Sequence, residues 1–148
     1  MTYLIEGTHG AGKTTFAKSL GLPIIHTPYI DVKTLLKNLQ RENVVYDRGF
    51  ILPLVDNDIN LINCAVQLED FLRRNNDIKS YLFICDREEG WQRYLVKTEG
   101  QAEREEYDKL YDACLLVKDY VPSMQLINID EGDVPVYGCR NQKIQKSN

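Results

Sequence analysis

Residues Gly7-Thr8-His9-Gly10-Ala11-Gly12-Lys13-Thr14 match the pattern G-x-x-x-x-G-K-[ST] in full. The chemistry of that spacing is phosphate binding. Glycines let the backbone turn tightly, so that successive N–H groups converge on phosphate oxygens. Lys13 would carry positive charge to the β- and γ-phosphates of a nucleoside triphosphate, and the Thr14 hydroxyl would reach a Mg²⁺ ion. A helix beginning at Lys13 would aim the positive end of its dipole at the same anion. The expected phosphate-binding residues are Gly7, His9, Gly10, Ala11, Gly12, Lys13, Thr14 and Thr15.

A second pair, Asp47-Arg48, follows the apolar run Val44-Val45-Tyr46. Ligands of open parallel sheets bind beyond the carboxyl ends of the strands, which would bring this pair to the crevice of the glycine loop. Asp47 there would hold Mg²⁺ through water or accept a proton from an attacking hydroxyl, and Arg48 would fork onto a second phosphate. A surface ion pair at a strand end is the alternative. A third signal is the charged segment 87–104 with Arg87, Arg93, Lys97 and Arg104, and with Gly90 and Gly100 as flexible points. It reads either as an arginine-bearing lid that closes over transferring phosphate or as a solvated helix face with pairs such as Glu89–Arg93.

The elements that must position these residues alternate short apolar runs with amphipathic segments, the signature of a parallel sheet covered by helices. Strands are expected at Tyr3-Leu4-Ile5, Ile24-Ile25-His26, Val44-Val45-Tyr46, Tyr81 to Cys85, and Leu126-Ile127-Asn128-Ile129. The fourth, apolar throughout, should be internal to the sheet. Helices are expected from Lys13 to Leu20, stopped by Gly21 and Pro23, and from an Asp31 N-cap along Val32, Leu35, Leu36 and Leu39. Two more run from Ile59 to Arg74 and from Glu105 to Tyr120. The result is an α/β, three-layer P-loop NTPase fold with a five-stranded parallel sheet flanked by helices. Residues 1–130 form the domain, and 131–148 form a polar C-terminal extension.

The composition agrees with one domain: 148 residues, 43% hydrophobic and 27% charged, are ordinary for a globular chain. Eighteen Lys and Arg against 22 Asp and Glu leave a net charge of −4, so no broad basic footprint for duplex nucleic acid is expected. Four cysteines, at 64, 85, 114 and 139, form neither a CxxC nor a zinc spacing and favour a reducing, cytoplasmic compartment. The opening Met-Thr-Tyr-Leu-Ile-Glu-Gly does not read as a signal peptide and no apolar run approaches membrane-spanning length, so neither a leader nor a membrane partner is expected.

These residues resemble the thymidylate kinase and deoxynucleoside kinase group. Ile5-Glu6-Gly7 through Lys13-Thr14-Thr15 is similar to that group's P-loop, and Val45-Tyr46-Asp47-Arg48 resembles the Asp-Arg ending its third strand. Arg93 looks like the start of the lid, and Arg104-Glu105 with Tyr107 and Leu110 like the helix after it. The resemblance implies transfer of the ATP γ-phosphate, with Mg²⁺, to a nucleoside or nucleotide. On it Lys13 stabilises the phosphates, Thr14 and Asp47 arrange the metal, Arg48 holds the acceptor, and Arg93 and Arg104 close over the donor. His9 stands where thymidylate kinases carry an acidic residue. Nucleoside kinases place a Glu base after the second strand, where this chain reads His26-Thr27-Pro28-Tyr29, and that tilts the expectation toward a nucleoside 5′-monophosphate acceptor. A nucleoside acceptor, a polynucleotide end and a non-catalytic nucleotide-binding switch are the competing readings. No Asn-Lys-x-Asp or Asp-x-x-Gly supports a GTPase switch.

Among lesser features, Phe50 and Tyr29 are either base-stacking or core residues, His26 a substrate contact or a structural histidine, and Asp86 a phosphate-facing group or a helix cap. Trp91 should anchor the charged segment to the body. The apolar stripes of the helices at 59–74 and 105–120 would serve a homodimer or an ordinary core.

Overall fold

Leu4 and Ile5 are adjacent and both fully buried, yet they belong to two separate hydrophobic clusters, because successive strand side chains point to opposite faces. Val45 and Tyr46 divide in the same way, as do Tyr81 and Leu82. A strand buried on both sides requires a covering layer on each. The computed structural model describes residues 1–26, 32–39, 43–47, 50–56 and 60–133, and there the strands are β1 (Thr2–Gly7), β2 (Ile24–Ile25), β3 (Val45–Asp47), β4 (Ile78–Phe83) and β5 (Gln125–Ile127). They form one parallel sheet in the order β2-β3-β1-β4-β5.

Helix α1 (Lys13–Ser19) covers one face with Phe16 and Ala17. The other face is covered by α2 (Val32–Asn38), α3 (Ile51–Asp56), α4 (Leu61–Arg74) and α6 (Arg104–Tyr120), through Leu35, Leu54, Leu68 and Val117 among others. Helix α5 (Arg87–Lys97) adds Trp91 and Tyr94 to the edge of that cluster. The expected five-stranded parallel α/β fold is the fold observed, and β4 is internal, paired to β1 and β5.

Element ends shift by a few residues. Strand β3 runs on through Asp47, and β4 starts three residues before Tyr81 and stops at Phe83. Strand β5 ends at Ile127, after which Ile129–Glu131 makes a 3-10 turn where continued strand was expected. Asn128 causes the break: its side chain accepts from Asp130 N–H at 3.1 Å, a local bond that competes with the sheet ladder. Helix α4 begins after Asn60, whose side chain accepts from Asn63 N–H at 3.2 Å. The Asp31 cap lies outside the described residues.

Helix α3 was not expected. Its N-terminal donors are satisfied from far along the chain: Glu6, near the end of β1, accepts from the backbone N–H of Phe50 at 2.6 Å and of Ile51 at 3.4 Å. Pro53 falls in the first turn, where a missing N–H costs nothing.

Candidate active site

The sheet's central strand delivers the glycine loop. β1 pairs with β3 on one side and β4 on the other, both later in the chain, so the crevice for ligands opens at its carboxyl end. Gly7 sits there at φ 151°, and a Cβ on it would stand 2.1 Å from Phe83 O, so only glycine fits. Thr8 N–H then donates to Phe83 O at 2.9 Å, prolonging the β4 contact into the loop. Gly10 and Gly12 take left-handed backbone at φ 74° and 89°. The N-cap of α1 is Gly12 itself, which offers no side-chain acceptor to the first-turn N–H groups. Lys13 is buried, and its Nζ donates to Thr8 O, which holds the ammonium against the backbone of its own loop. Thr14 is half-buried and Thr15 exposed.

Two segments brace the loop from outside. On one side is α5, with Gly90 at the crossing: a Cβ there would stand 2.4 Å from Tyr107 Oη, 2.5 Å from Cys85 Sγ and 3.1 Å from His9 O. A Cβ on Gly10 would lie 2.8 Å from Gly90 O and 3.3 Å from Arg93 Cβ. On the other side is the 3-10 turn, with Ile129 Cδ1 2.4 Å from where a Gly12 Cβ would stand. Cys85 Sγ lies 3.3 Å from Thr8 Oγ1 and 3.6 Å from His9 O, a small buried thiol packed beneath the loop. The His9 ring is buried, stacked on Tyr94 at 3.9 Å and 8°.

Asp47, at the end of β3, is buried. Its Oδ2 lies 3.7 Å from Nδ1 of the exposed His26, and its Oδ1 is buried with no hydrogen-bond partner among the described residues. Burial pushes the Glu6 carboxyl up to about 7; its bonds from Phe50 and Ile51 and the Lys13 charge oppose that shift, and the Asp47 charge adds to it. Lys13, Glu6 and Asp47 are therefore electrostatically coupled at the carboxyl end of the sheet. Mg²⁺ prefers hard oxygen ligands and keeps several waters, needing only one or two protein oxygens. A buried carboxylate oxygen on β3 with no partner among the described residues and a half-buried hydroxyl at Thr14 fit that demand.

The arginines separate. Arg93 lies beside the loop and forks onto Asp130 from the 3-10 turn, at 3.0 and 2.9 Å. Arg104 joins α5 to α6: it forks onto Glu88, donates from Nε to Asp108 at 3.0 Å, and lies 5.4 Å from the Trp91 ring centroid. Arg87 reaches Asp108 and Asp112 from the same helix. Much of the segment 87–104 is thus helix α5, with Asp86 as its cap accepting from Glu89 N–H at 3.1 Å. Arg93 pairs with Asp130, where Glu89 was the partner considered from sequence. Trp91 packs against Tyr107 at 5.4 Å, which ties α5 to the body. Arg48 and Tyr29 lie outside the described residues, and Phe50 is core.

Beside His9 opens a cavity of about 220 Å³, lined by Leu52 and Val55 of α3, Tyr94 of α5, Tyr107 and Leu110 of α6, and the carboxylates Glu103 and Glu106. Sequence reasoning missed it, having assigned no element to 50–58. Glu6 was missed as well; the signal was an acid closing an otherwise apolar buried strand.

Neither a protein-family model nor a curated protein sequence matches the chain. Among solved structures it is similar to the YorR protein of Bacillus subtilis, solved in complex with phosphorylated GDP. That match has 18% identity and a TM-score of 0.62, covering 86% of this chain and 84% of YorR. A deoxyadenosine kinase from M. mycoides with bound dCTP superposes at 16% identity and a TM-score of 0.48, over 86% of this chain and 89% of the kinase. The YorR likeness establishes a shared fold.

Proposed function

We propose that this chain transfers the γ-phosphoryl group of Mg·ATP to a (deoxy)nucleoside 5′-monophosphate. The observation that carries the reading is the buried carboxyl end of the sheet: Lys13, at the helix start after left-handed Gly10 and Gly12, and Asp47, whose Oδ1 has no hydrogen-bond partner among the described residues, are both coupled to Glu6. YorR, which shares the fold, was solved holding phosphorylated GDP, and that supports a nucleotide as ligand. On this reading the loop N–H groups and Lys13 hold the donor phosphates and neutralise charge developing in transfer. Thr14 and Asp47 hold Mg²⁺, which supplies charge neutralisation on the phosphates. Arg48 takes the acceptor's phosphate, and Arg93 sits over the donor.

A second reading, transfer to an unphosphorylated nucleoside, is favoured by one feature. The cavity beside His9 contributes two carboxylates and, among the described residues, no lysine or arginine. Carboxylates accept hydrogen bonds from sugar hydroxyls or amino groups and repel a phosphate. ADP formation from Mg·ATP against deoxynucleosides and their 5′-monophosphates, with an acceptor-free control, decides between the two. Turnover with monophosphates alone is expected; turnover with nucleosides alone would replace this acceptor assignment with the second reading. Hydrolysis of ATP without any acceptor dependence would remove both.

A further inference from the structure

We propose that Asp130 is a positioning residue of the donor site, one that sets the Arg93 guanidinium across the P-loop; the role rests on the reading of this loop as the ATP site. The Arg93 Nη1 and Nη2 groups donate in parallel to Asp130 Oδ1 and Oδ2, at 3.0 and 2.9 Å. Such a fork fixes the plane of the guanidinium as well as its distance. Asp130 Oδ2 also accepts from the backbone N–H of Asp86 at 3.2 Å. Asp86 is the N-cap of α5, so one carboxylate holds the start of that helix and an arginine two turns along it.

The placement of the pair follows from its backbone neighbours. Arg93 Cβ abuts the position of a Gly10 Cβ, and Ile129, next to Asp130, abuts that of Gly12. The ion pair therefore runs from one left-handed glycine of the loop to the other. Asp130 is the more fixed partner: its side chain is 20% exposed against 45% for Arg93, and its own N–H is held by Asn128 Oδ1 at 3.1 Å. A guanidinium has five N–H donors, of which the fork uses two. The carboxylate thus orients Arg93 and leaves donors for a phosphate. Holding the long side chain beforehand spares the ordering cost that ligand binding would otherwise carry. An isolated surface ion pair would gain little from such geometry, but this one is built onto the loop it serves.

The test measures ATP affinity by calorimetry for the whole protein and for Asp130→Asn, Arg93→Ala and the double variant, with thermal unfolding of each. Each single change is expected to weaken ATP binding about tenfold, the scale of one charge-assisted hydrogen bond. The double variant should bind no more weakly than Arg93→Ala, and the melting temperatures should stay close together. Unchanged ATP affinity in Asp130→Asn, additive losses in the double variant, or no ATP binding by the unaltered protein would each overturn the proposal. If Asp130→Asn does not fold, Arg93→Lys reads the same fork from the other side, keeping the charge and losing the parallel bonds; wild-type affinity there would also overturn it. Strong ATP binding without transfer to any acceptor would remove the phosphotransfer reading alone, since the coupling of Asp130 to Arg93 is read in affinity.

Discussion

Glu6 Oε2 accepts a 2.6 Å hydrogen bond from the backbone N–H of Phe50, so a carboxylate on the sheet's central strand caps a helix 44 residues further along. The same residue directly precedes the glycine loop and is coupled to Lys13 and Asp47. The glycine loop and the start of α3 are therefore held by one buried acid.

Burial, which disfavours the charged form, pushes the Glu6 carboxyl up to about 7 in the folded protein, from 4.5 for an exposed glutamate. The folded state then binds the proton more tightly than the unfolded chain. Its stabilising contribution is complete below the unfolded value and is lost as pH rises through the folded one. Between about pH 5 and pH 8 the unaltered protein should lose roughly 3 kcal/mol that a Glu6→Gln variant does not. Urea midpoints across that range check this, and parallel curves for the two proteins would exclude it.

Lys13→Ala should fold, since its Nζ bond to Thr8 O is one contact within a loop pinned by Phe83, Gly90 and Ile129. Its kcat/KM should fall by the equivalent of roughly 3 kcal/mol or more. Circular dichroism with steady-state assay separates the two effects; undiminished turnover would take Lys13 out of the phosphate site.

Asp47→Asn sets function against stability. A buried carboxylate oxygen lacking a hydrogen-bond partner among the described residues costs folding free energy, and the amide removes its charge. The variant should be as stable as the parent or more so by about 1 kcal/mol, while kcat drops about 100-fold and the Mg²⁺ requirement rises. Mg²⁺ titrations of activity beside denaturation curves measure both; destabilisation with normal Mg²⁺ dependence would give Asp47 a structural role instead.

Gly90→Ala inverts the usual helix rule. Alanine ordinarily stabilises a helix interior by about 1 kcal/mol relative to glycine. Here the added methyl meets Tyr107 Oη and Cys85 Sγ at 2.4 and 2.5 Å. Overpacking should cost about 1–3 kcal/mol and lower ATP affinity by pushing α5 off the loop. Thermal unfolding with nucleotide titration reads both, and a more stable variant with normal ATP binding would show that the crossing has slack.

The five strands, the glycine loop and the helices with clean apolar stripes were legible because their signals are local: a run, a period, or a motif of eight adjacent residues. Helix α3 was not, because its cap comes from Glu6 on another strand and its sequence, Ile-Leu-Pro-Leu-Val-Asp, is short and interrupted by proline. The cavity beside His9 was equally hidden, since its walls come from four separate segments of chain. For Arg93, sequence spacing pointed to Glu89 within the helix, whereas the fold brings Asp130 across from the turn after β5. Lys13 and Asp47 could be assigned to one end of the sheet from strand order alone; the burial of both and their coupling through Glu6 required the packed core.

The bracing of Gly12 by Ile129 also bears on when the loop matures. The motif is complete within the first fourteen residues, but its outer support comes from residues 85–93 and then from 129–130. During synthesis the loop emerges early and waits for nearly the whole domain before its last wall arrives. On the proposed reading, nucleotide affinity should therefore appear late in folding, after β5 has docked, and ligand capture would report a finished sheet.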